Sequence, residues 1–310
     1  VRSYRAINGW PANPLPLAAL AAVDAKATLA IGPIIHTAIR LDSSALRISL
    51  SNGAAVVNLD SVKLYNGAAR GRVELTPQGQ TSDVRANLRT TTPGSAQSLL
   101  KAFANTDMLS GTANLGFNLR GAGPHVAGIM QSLGGAAEFK INDGALNGYN
   151  IAEMIRGLQQ GRLDGLTKSP SEKTDFTEMS ASFRVANGVA TNRDLKASSP
   201  LLRVTGEGDI DVGKRQLNYV VSPKLVATLS GQGGNDLSGL VLPVEITGSW
   251  DNPRFTPKLG DILTQQPVIR DTARKLREQF KGKKPEEIVG DLLKDNGRGA
   301  TDMLKGIFGR

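Results

Sequence analysis

The 310-residue sequence contains no cysteine, only two histidines and few aromatic residues, which make up 5% of the chain. The absence of cysteine excludes disulfide bonds, thiol chemistry and zinc sites built on cysteine, and it is compatible with either redox compartment. The scarcity of Phe, Tyr and Trp leaves few large side chains to fill a wide protein interior.

Long hydrophobic runs are also missing. The longest run near the start, residues 15–23, is interrupted by Pro16 and is far shorter than the roughly 20 residues of a membrane span. It also lacks the basic region and the cleavage site that flank the apolar part of a signal peptide. Because the first residue is Val1 rather than Met, we expect a fragment or a processed product, with any membrane anchor upstream.

The balance of charge is basic. The formal net charge is +9, and residues 270–310 carry eleven Lys and Arg against seven Asp and Glu. A basic surface suggests an anionic partner, either nucleic acid or lipid head groups. The sequence has no helix-turn-helix pattern, no aromatic ribonucleoprotein motif and no zinc-finger spacing, so we predict no nucleic-acid partner.

What the sequence does contain is alternation of apolar and polar residues, together with 35 glycines. Residues 201–212 alternate across Gly206 and Gly208, which predicts one strand of about 12 residues, longer than most. Similar alternation recurs along the chain and predicts roughly a dozen strands, each with one apolar face. The apolar positions that we assign to this face are Leu46, Ile48, Leu50, Val73, Leu75, Leu115, Phe117, Leu119, Phe139, Ile141, Phe183, Val185, Leu202, Val204, Ile210, Val212, Leu217, Tyr219, Leu242, Val244 and Ile246.

Turn signals separate the predicted strands and indicate an antiparallel meander. They lie at residues 51–53, 66–67, 143–144, 187–188 and 231–235. Two short helices are predicted, over residues 95–104 and over residues 150–160, the second with Asn150 as its N-cap and Gly161 after its end. From residue 266 onward a helical stripe lies on a basic segment. The predicted organisation is a lead-in segment (1–24), a β domain (25–262) and a basic amphipathic helical tail (263–310).

Two helices of this length are too short to cover the apolar face of a dozen strands. Three arrangements solve the problem: a packed sandwich or solenoid, a closed barrel, or a curled trough that holds an apolar guest. The long strands and the few aromatic residues favour the trough. The expected fold is therefore mainly β, a long antiparallel curled sheet (a β-groove) with two short helices and a helical C-terminal tail.

No catalytic or metal-binding pattern stands out, and we expect neither an enzyme nor a cofactor. His36 and His125 are isolated, so structural or surface roles are favoured over metal or proton chemistry. Asp209 and Asp211 share the polar face of a strand, where solvated charges are more ordinary than a glycosidase pair. The glycines at 206–208 and 231–234 do not lie between a strand and a helix, as a phosphate-binding loop requires, and are more typical of a bent strand or a turn.

Four blocks in sequence, supported by two segments upstream, resemble a known family. The blocks are LSGTANLGFNLRGAG (109–123), LGGAAEFKINDGALNGYNIAEMI (133–155), residues 176–212 and LPVEITGSWDNPRFTP (242–257), and the upstream segments are ATLAIGPI (27–34) and LYNGAARGRVEL (64–75). In order and spacing these are similar to the C-terminal region of the bacterial AsmA family and cover roughly residues 25–262. The basic tail lies outside the pattern.

The resemblance implies an envelope protein of the periplasm, tethered to the inner membrane by an N-terminal helix that this chain lacks, and related to bridge-like lipid transport proteins. It implies phospholipid as the partner and a role in lipid transport and outer-membrane biogenesis. The residues assigned to the apolar face would then line a groove for acyl chains. The alternative is a non-enzymatic scaffold that assembles outer-membrane proteins through its strand edges.

The basic tail has two interpretations, a solvated helical extension or a membrane-surface contact. In the second, anionic head groups are bound by Arg270, Arg274, Lys275, Arg277, Lys281, Lys283 and Lys284.

Overall fold

The computed structural model describes residues 6–17, 22–36, 39–104, 106–154, 169–226 and 241–258. Within these ranges it contains eighteen strands and two helices with complete bounds. The strands are β1 (Ala6–Ile7), β2 (Trp10–Pro11), β3 (Ala25–Ile31), β4 (Ile34–His36), β5 (Ile39–Leu41), β6 (Ser44–Ser51), β7 (Ala54–Leu64), β8 (Gly67–Gln78), β9 (Thr81–Thr92), β10 (Gly94–Ser95), β11 (Thr112–Gly123), β12 (Gly134–Asn147), β13 (Lys173–Ala186), β14 (Val189–Ser198), β15 (Leu202–Asp211), β16 (Gln216–Leu225), β17 (Val244–Ser249) and β18 (Arg254–Pro257). The helices are α1 (Ala96–Ala104) and α2 (Val126–Gln131).

Sixteen of these strands form one antiparallel sheet, and β1 and β2 form a separate hairpin. From β18 the order runs through β17, β16, β15, β14, β13, β12 and β11 to β9, β8 and β7. Beyond β7 the order divides, since β6 pairs with β7 and β3, while β5 pairs with β7 and β4. Among the strands that the structure describes, the sheet does not close on itself. The predicted mainly β, antiparallel architecture is confirmed.

Tight turns explain the meander. The turns at Asn52-Gly53 and Asn187-Gly188 each hold two residues at positive φ, the geometry of a two-residue hairpin that matches strand twist. Both were predicted. The turn predicted at residues 66–67 lies one residue earlier, with Tyr65 and Asn66 at its centre. The segment predicted at residues 231–235 lies outside the described residues.

The turn predicted at residues 143–144 is wrong. Strand β12 continues through this point, and Asn142 and Gly144 both pair with β13. Asp143 has a φ of 47°, so it bends the strand without reversing it. Gly144 is required for a close approach, because a Cβ there would overlap the carbonyl oxygen of Ser110 and lie 2.5 Å from Cζ of Phe176. The Asp-Gly pair thus allows tight packing where the pattern indicates a hairpin.

Three strands contain one extra residue relative to their neighbours. The register shifts place bulges in β7 near Asp60, in β9 near Thr91 and in β14 at residues 193–194. Bulges increase local twist and redirect side chains. Each bulge shifts the phase of the alternation by one residue: in β7, Leu59 before the bulge and Val62 after it lie on the same face. The strand predictions did not use these phase shifts.

The helix predictions are largely confirmed. Helix α1 begins one residue later than predicted, and residues 151–154 are helical, with the Asn150 side chain accepting a hydrogen bond from the Glu153 amide at 3.1 Å. The rest of that predicted helix lies outside the described residues, as does the tail from residue 266. Helix α2 was not predicted. It has only six residues, too few for a helical period, and His125 caps it by accepting from the Gly128 amide at 2.9 Å.

The predicted strand over residues 201–212 is a single strand, β15, of 10 residues. Glycine in the interior of a strand is normally destabilising, and Tyr219 on β16 compensates for the two glycines of β15, Gly206 and Gly208. The Tyr219 ring lies across them, since Cβ atoms built at Gly206 and Gly208 would come within 3.0 Å and 2.9 Å of ring carbons. The aromatic side chain covers the backbone that the glycines leave bare.

Candidate functional site

The main surface feature of the sheet is a continuous row of apolar residues. Residues paired directly across antiparallel strands point to the same face, so the pairing traces the row from strand to strand. We call it the central apolar row: Ala27, Ile48, Val57, Val73, Ala86, Leu119, Gly135, Val185, Ala190, Ile210, Leu217 and Gly248. The row crosses strands β3, β6 to β9 and β11 to β17 without a polar side chain, a width of about 53 Å at 4.8 Å per strand.

The row on the opposite face has the reverse character. We call it the central polar row: Thr28, Arg47, Asn58, Arg72, Asn87, Asn118, Ala136, Arg184, Thr191, Asp209, Asn218, Thr247 and Arg254. Only Ala136 among them lacks a polar group. The register is therefore strongly specified, because a slip of one residue would exchange the two faces.

The twenty-one positions assigned to the apolar face lie in or beside this sheet, and most are half-buried. Five are buried, and these are Ile141, Val185, Leu202, Tyr219 and Leu242. Two lie just outside strands: Val212 follows β15, and Leu242 precedes β17 and donates its amide to the Pro223 carbonyl at 2.9 Å. The structure places these residues on one face of the sheet; their contact with lipid stays a prediction.

Helix α1 covers the apolar face at the end of the sheet where β11 begins. Ala96 of α1 is buried with Ala113, Ile141 and Phe176, and Leu99 packs against the same cluster. The members are small or medium-sized apart from Phe176, as the scarcity of aromatic residues leads one to expect. This end of the sheet is an ordinary hydrophobic core.

Helix α2 covers the same face at the other end of β11. Ala127 and Ile129 of α2 are buried, and glycines on β11 admit the helix closely: a Cβ at Gly121 or at Gly123 would lie 2.7 Å from α2 backbone atoms. From Ala113 to Gly121 is eight residues, about 26 Å. The half-buried Leu115, Phe117 and Leu119 lie in this interval.

An aromatic and cationic cluster joins the first hairpin to the sheet. The Arg215 guanidinium lies 5.6 Å from the Trp10 ring centroid and 5.0 Å from that of Trp250. It also pairs with Asp251 at 3.0 Å, and Trp10 Nε1 donates to the Val212 carbonyl at 2.9 Å. These contacts attach the β1–β2 hairpin to the turn between β15 and β16.

One fully buried polar side chain, Asn192, interrupts the apolar face beside the β14 bulge. Its Nδ2 donates to the Ser182 carbonyl at 2.7 Å and to Asp194 Oδ1 at 2.6 Å, and its Oδ1 accepts from the Tyr219 hydroxyl. Hydrogen bonds from the Ser182 side chain and amide, with a smaller one from Asn192, lower the pKa of Asp194. Burial, with the nearby Asp194 and Glu207 carboxylates, raises the pKa of Tyr219. The network was not predicted, because the phase shift between Ala190 and Leu195 indicates a bulge but not the hydrogen-bond partners that the bulge brings together.

The side chains set aside as sites have structural partners where they are described. His125 caps α2, Asp209 accepts from the Thr191 hydroxyl at 2.7 Å, and Asp211 pairs with Lys214 at 3.0 Å. The side chain of His36 lies outside the description, as do residues 231–234. Within the described ranges, no three His, Asp or Glu side chains are grouped so as to hold a metal ion.

Comparison with known proteins identifies the family. The model of the AsmA family matches residues 5–195, more than half of the chain, and the chain belongs to this family. The match starts earlier than the predicted resemblance and ends within its third block. The chain is also similar to Protein AsmA of Escherichia coli (strain K12), with 22% identity over 182 residues, which cover 57% of this chain and 29% of that protein. The chain therefore spans less than a third of that relative's length. No solved structure matches it.

Among the helices in the described part of the chain, none has the length and apolar content needed to span a membrane.

Proposed function

We propose that this chain binds phospholipid acyl chains along the apolar face of its sheet, and so supports lipid transport and outer-membrane biogenesis in the bacterial envelope. The observation that carries the proposal is the central apolar row, which continues across strand after strand. Membership of the AsmA family, whose resemblance implies lipid handling, supports the same conclusion.

The energetics of such binding need no specific donor. Each buried CH₂ group contributes about 0.8 kcal/mol, so burial of apolar area is sufficient to bind a long acyl chain. Because neighbouring positions along the face are alike, an acyl chain can move from one strand to the next without a large change in free energy. The proposal therefore assigns the chain no chemical step, no cofactor and no enzyme activity.

The dimensions of the face suit a hydrocarbon chain. The interval of about 26 Å along β11, between the residues that α1 and α2 contact, exceeds the roughly 15 Å of one leaflet, half of a 30 Å hydrocarbon core. The two helices would close the ends of a trough in which tails lie against the sheet, with head groups at its open edge.

Adjacent residues of one strand provide a sharp test, because they face opposite sides of the sheet. A photo-crosslinking amino acid is placed at Ile48 or Val57 on the apolar face, and at Ser49 or Asn58 on the polar face. After incubation with phospholipid and irradiation, we expect lipid adducts at the first two positions and none at the matched controls. Equal labelling of both faces, or no adduct at any position, would refute binding along the apolar face.

A second measurement asks whether lipid accompanies the purified chain. Native mass spectrometry is expected to show bound phospholipid, and the delipidated chain is expected to shield a fluorescent fatty acid from water. If the delipidated chain takes up neither, the proposal is wrong.

We further propose that the chain lies in the periplasm as part of a protein anchored in the inner membrane, as the AsmA resemblance implies. Protease added to spheroplasts is expected to digest the chain while a cytoplasmic marker stays intact. Protection of the chain until the cells are lysed would contradict this location.

The basic tail is proposed to contact anionic head groups through residues 270–284, each Lys or Arg contributing about 1 kcal/mol near a charged surface. Flotation with vesicles that contain phosphatidylglycerol is expected to weaken when residues 266–310 are deleted. Unchanged flotation would leave the tail without a membrane role.

A scaffold for outer-membrane proteins is the second candidate, and strand β3 favours it. Among the described strands β3 pairs only with β6, and six of its seven residues are exposed. Such an edge accepts a partner's strand by backbone pairing. Affinity capture from envelope extract would favour this role if it yields outer-membrane proteins without copurifying lipid.

A further inference from the structure

A cleft of about 1040 Å³ crosses β8, β9, β11, β12 and β13. Its lining contains two rows of the polar face. One is the middle of the central polar row, from Arg72 to Arg184, and the other runs from Arg70 and Arg89 through Gly116 to Glu138 and Ser182. The row between them also lines the cleft, although its side chains belong to the apolar face: Gly71, Leu88, Phe117, Ala137 and Phe183. Their neighbours on that face, among them Val73, Leu115 and Phe139, are absent from the lining. The cleft therefore opens on the polar face, opposite the proposed acyl-chain surface.

The cleft owes its shape to the alternation of long and short side chains across the sheet. Arginines stand at both flanks, with Arg70, Arg72 and Arg89 on one side and Arg184 on the other, while Gly116 and Ala136 lie at the centre. The short central residues leave a depression between walls of guanidinium groups.

The charge of the cleft is strongly unbalanced. Four arginines and one carboxylate, that of Glu138, line the cleft, and Arg72 also pairs with Glu74 outside the lining at 2.5 Å, which leaves a formal excess of two positive charges. The ion pair between Arg89 and Glu138, at 3.3 Å, has both side chains mostly exposed, so it compensates little of this charge.

Two pairs of arginines also oppose each other directly across strands. Arg70 lies opposite Arg89 in the cleft, and Arg85 lies opposite Arg120 farther along the same face. Like charges in directly opposed positions destabilise a sheet, and the exposed pair of Arg89 with Glu138 offsets this only in part. An anionic ligand would remove the repulsion.

We propose that this cleft binds a phosphate-bearing anion, either free in solution or as the head group of a lipid. The planar fork of each guanidinium donates two parallel hydrogen bonds to phosphate oxygens, and the Asn87 and Asn118 amides supply further donors. A group with several oxygens and more than one negative charge suits this set of donors. The inference is independent of acyl-chain binding, which concerns the opposite face.

The test uses titration calorimetry with the full chain and two phosphate probes. Inorganic pyrophosphate represents the free anion, and dihexanoyl phosphatidic acid below its micellar concentration represents the lipid head group. Saturable binding of pyrophosphate alone assigns a soluble ligand, and preference for phosphatidic acid assigns a lipid; both support the proposal. If neither probe saturates, the proposal is wrong.

Two double variants distinguish specific binding in the cleft from nonspecific electrostatic attraction to the basic chain. Arg70→Gln/Arg89→Gln is expected to weaken binding at least about tenfold, whereas Arg193→Gln/Arg254→Gln, which removes two exposed arginines elsewhere on the sheet, should change it less than about twofold. Equal loss in both double variants, or no loss in the first, would overturn the proposal.

A cavity-filling variant tests the cleft without removing any arginine. Ala136→Leu keeps all four arginines and fills the centre of the cleft, and we expect a similar loss of affinity at unchanged charge. Retention of full affinity by Ala136→Leu would place binding outside the cleft. The melting temperature of Arg70→Gln/Arg89→Gln should not fall, because a repulsive pair is removed.

Discussion

The Tyr219 hydroxyl on β16 donates a hydrogen bond to the buried side-chain carbonyl of Asn192, two strands away on β14. Strand β15 lies between them, and its Gly206 and Gly208 leave the space that the tyrosine ring crosses. The bond links a bulged strand to its second neighbour and gives the buried Asn192 Oδ1 one of its two donors, the other being the Leu195 amide at 3.3 Å.

This relationship predicts a measurable loss of stability. Tyr219→Phe should lower the free energy of unfolding by about 1–2 kcal/mol, since the Asn192 carbonyl loses a donor without regaining water. Urea denaturation followed by circular dichroism measures the change. Asn218→Ala, one residue away on the polar face, is the control and should change stability by no more than about 0.5 kcal/mol. Equal effects in the two variants would contradict the role of the bond.

The same tyrosine predicts a pH dependence. Burial, together with the Asp194 and Glu207 carboxylates, raises the pKa of Tyr219 in the folded chain above its usual value of about 10. A raised pKa means that this contribution is present below pH 10 and is lost as the pH rises through the folded-state pKa. Between pH 8 and pH 10.5 the wild type should therefore lose more stability than Tyr219→Phe. Parallel pH profiles for the two proteins would refute this.

The Arg215 cluster predicts an effect on the first hairpin. Arg215→Ala should lower the free energy of unfolding by about 1–3 kcal/mol, because two ring contacts and an ion pair are lost together. The chain has only two tryptophans, and both contact Arg215, so their fluorescence should shift toward that of exposed indole. Lys214→Ala removes only an exposed pair and should leave the spectrum unchanged. A normal spectrum for Arg215→Ala would show that the hairpin is held by other contacts.

The bend in β12 predicts that Gly144 cannot be replaced by a larger residue without a loss of stability. Gly144→Ala should destabilise the chain by about 2 kcal/mol or more, because the added Cβ would overlap the Ser110 carbonyl and meet the Phe176 ring. Gly32 lies between β3 and β4, and a Cβ added there would meet nothing within 4 Å, so Gly32→Ala should be neutral or slightly stabilising. Thermal melts of the two variants decide the matter, and equal melting temperatures would contradict the packing argument.

Much of the fold was predictable because the evidence is local. Alternation places Ile48 and Val73 on one face and Arg47 and Arg72 on the other, whatever the strands pair with. The two-residue turns at 52–53 and 187–188 follow from the positive φ that Asn and Gly accept. The α1 helix follows from its helical spacing.

Other features depend on contacts that no short window of sequence contains. The Asp143-Gly144 pair reads as a turn, yet the approach of Ser110 makes it a bend within a strand. Helix α2 exists because His125 caps it and glycines of β11 admit it, although its own six residues carry little helical signal. The Asn192 network requires the bulge in β14 and partners on β13 and β16 that no local pattern specifies.

By itself the sequence determined that this protein forms long two-faced strands joined by tight turns, because the two-residue period and the turn residues act within a few positions of the chain. Only the tertiary structure decided that these strands form one sheet that does not close among the described strands, that helices cover the ends of its apolar face, and that arginines on the other face border a cleft. Alternation specifies which side of a strand avoids water, but what covers that side depends on which strands pair and where the helices pack.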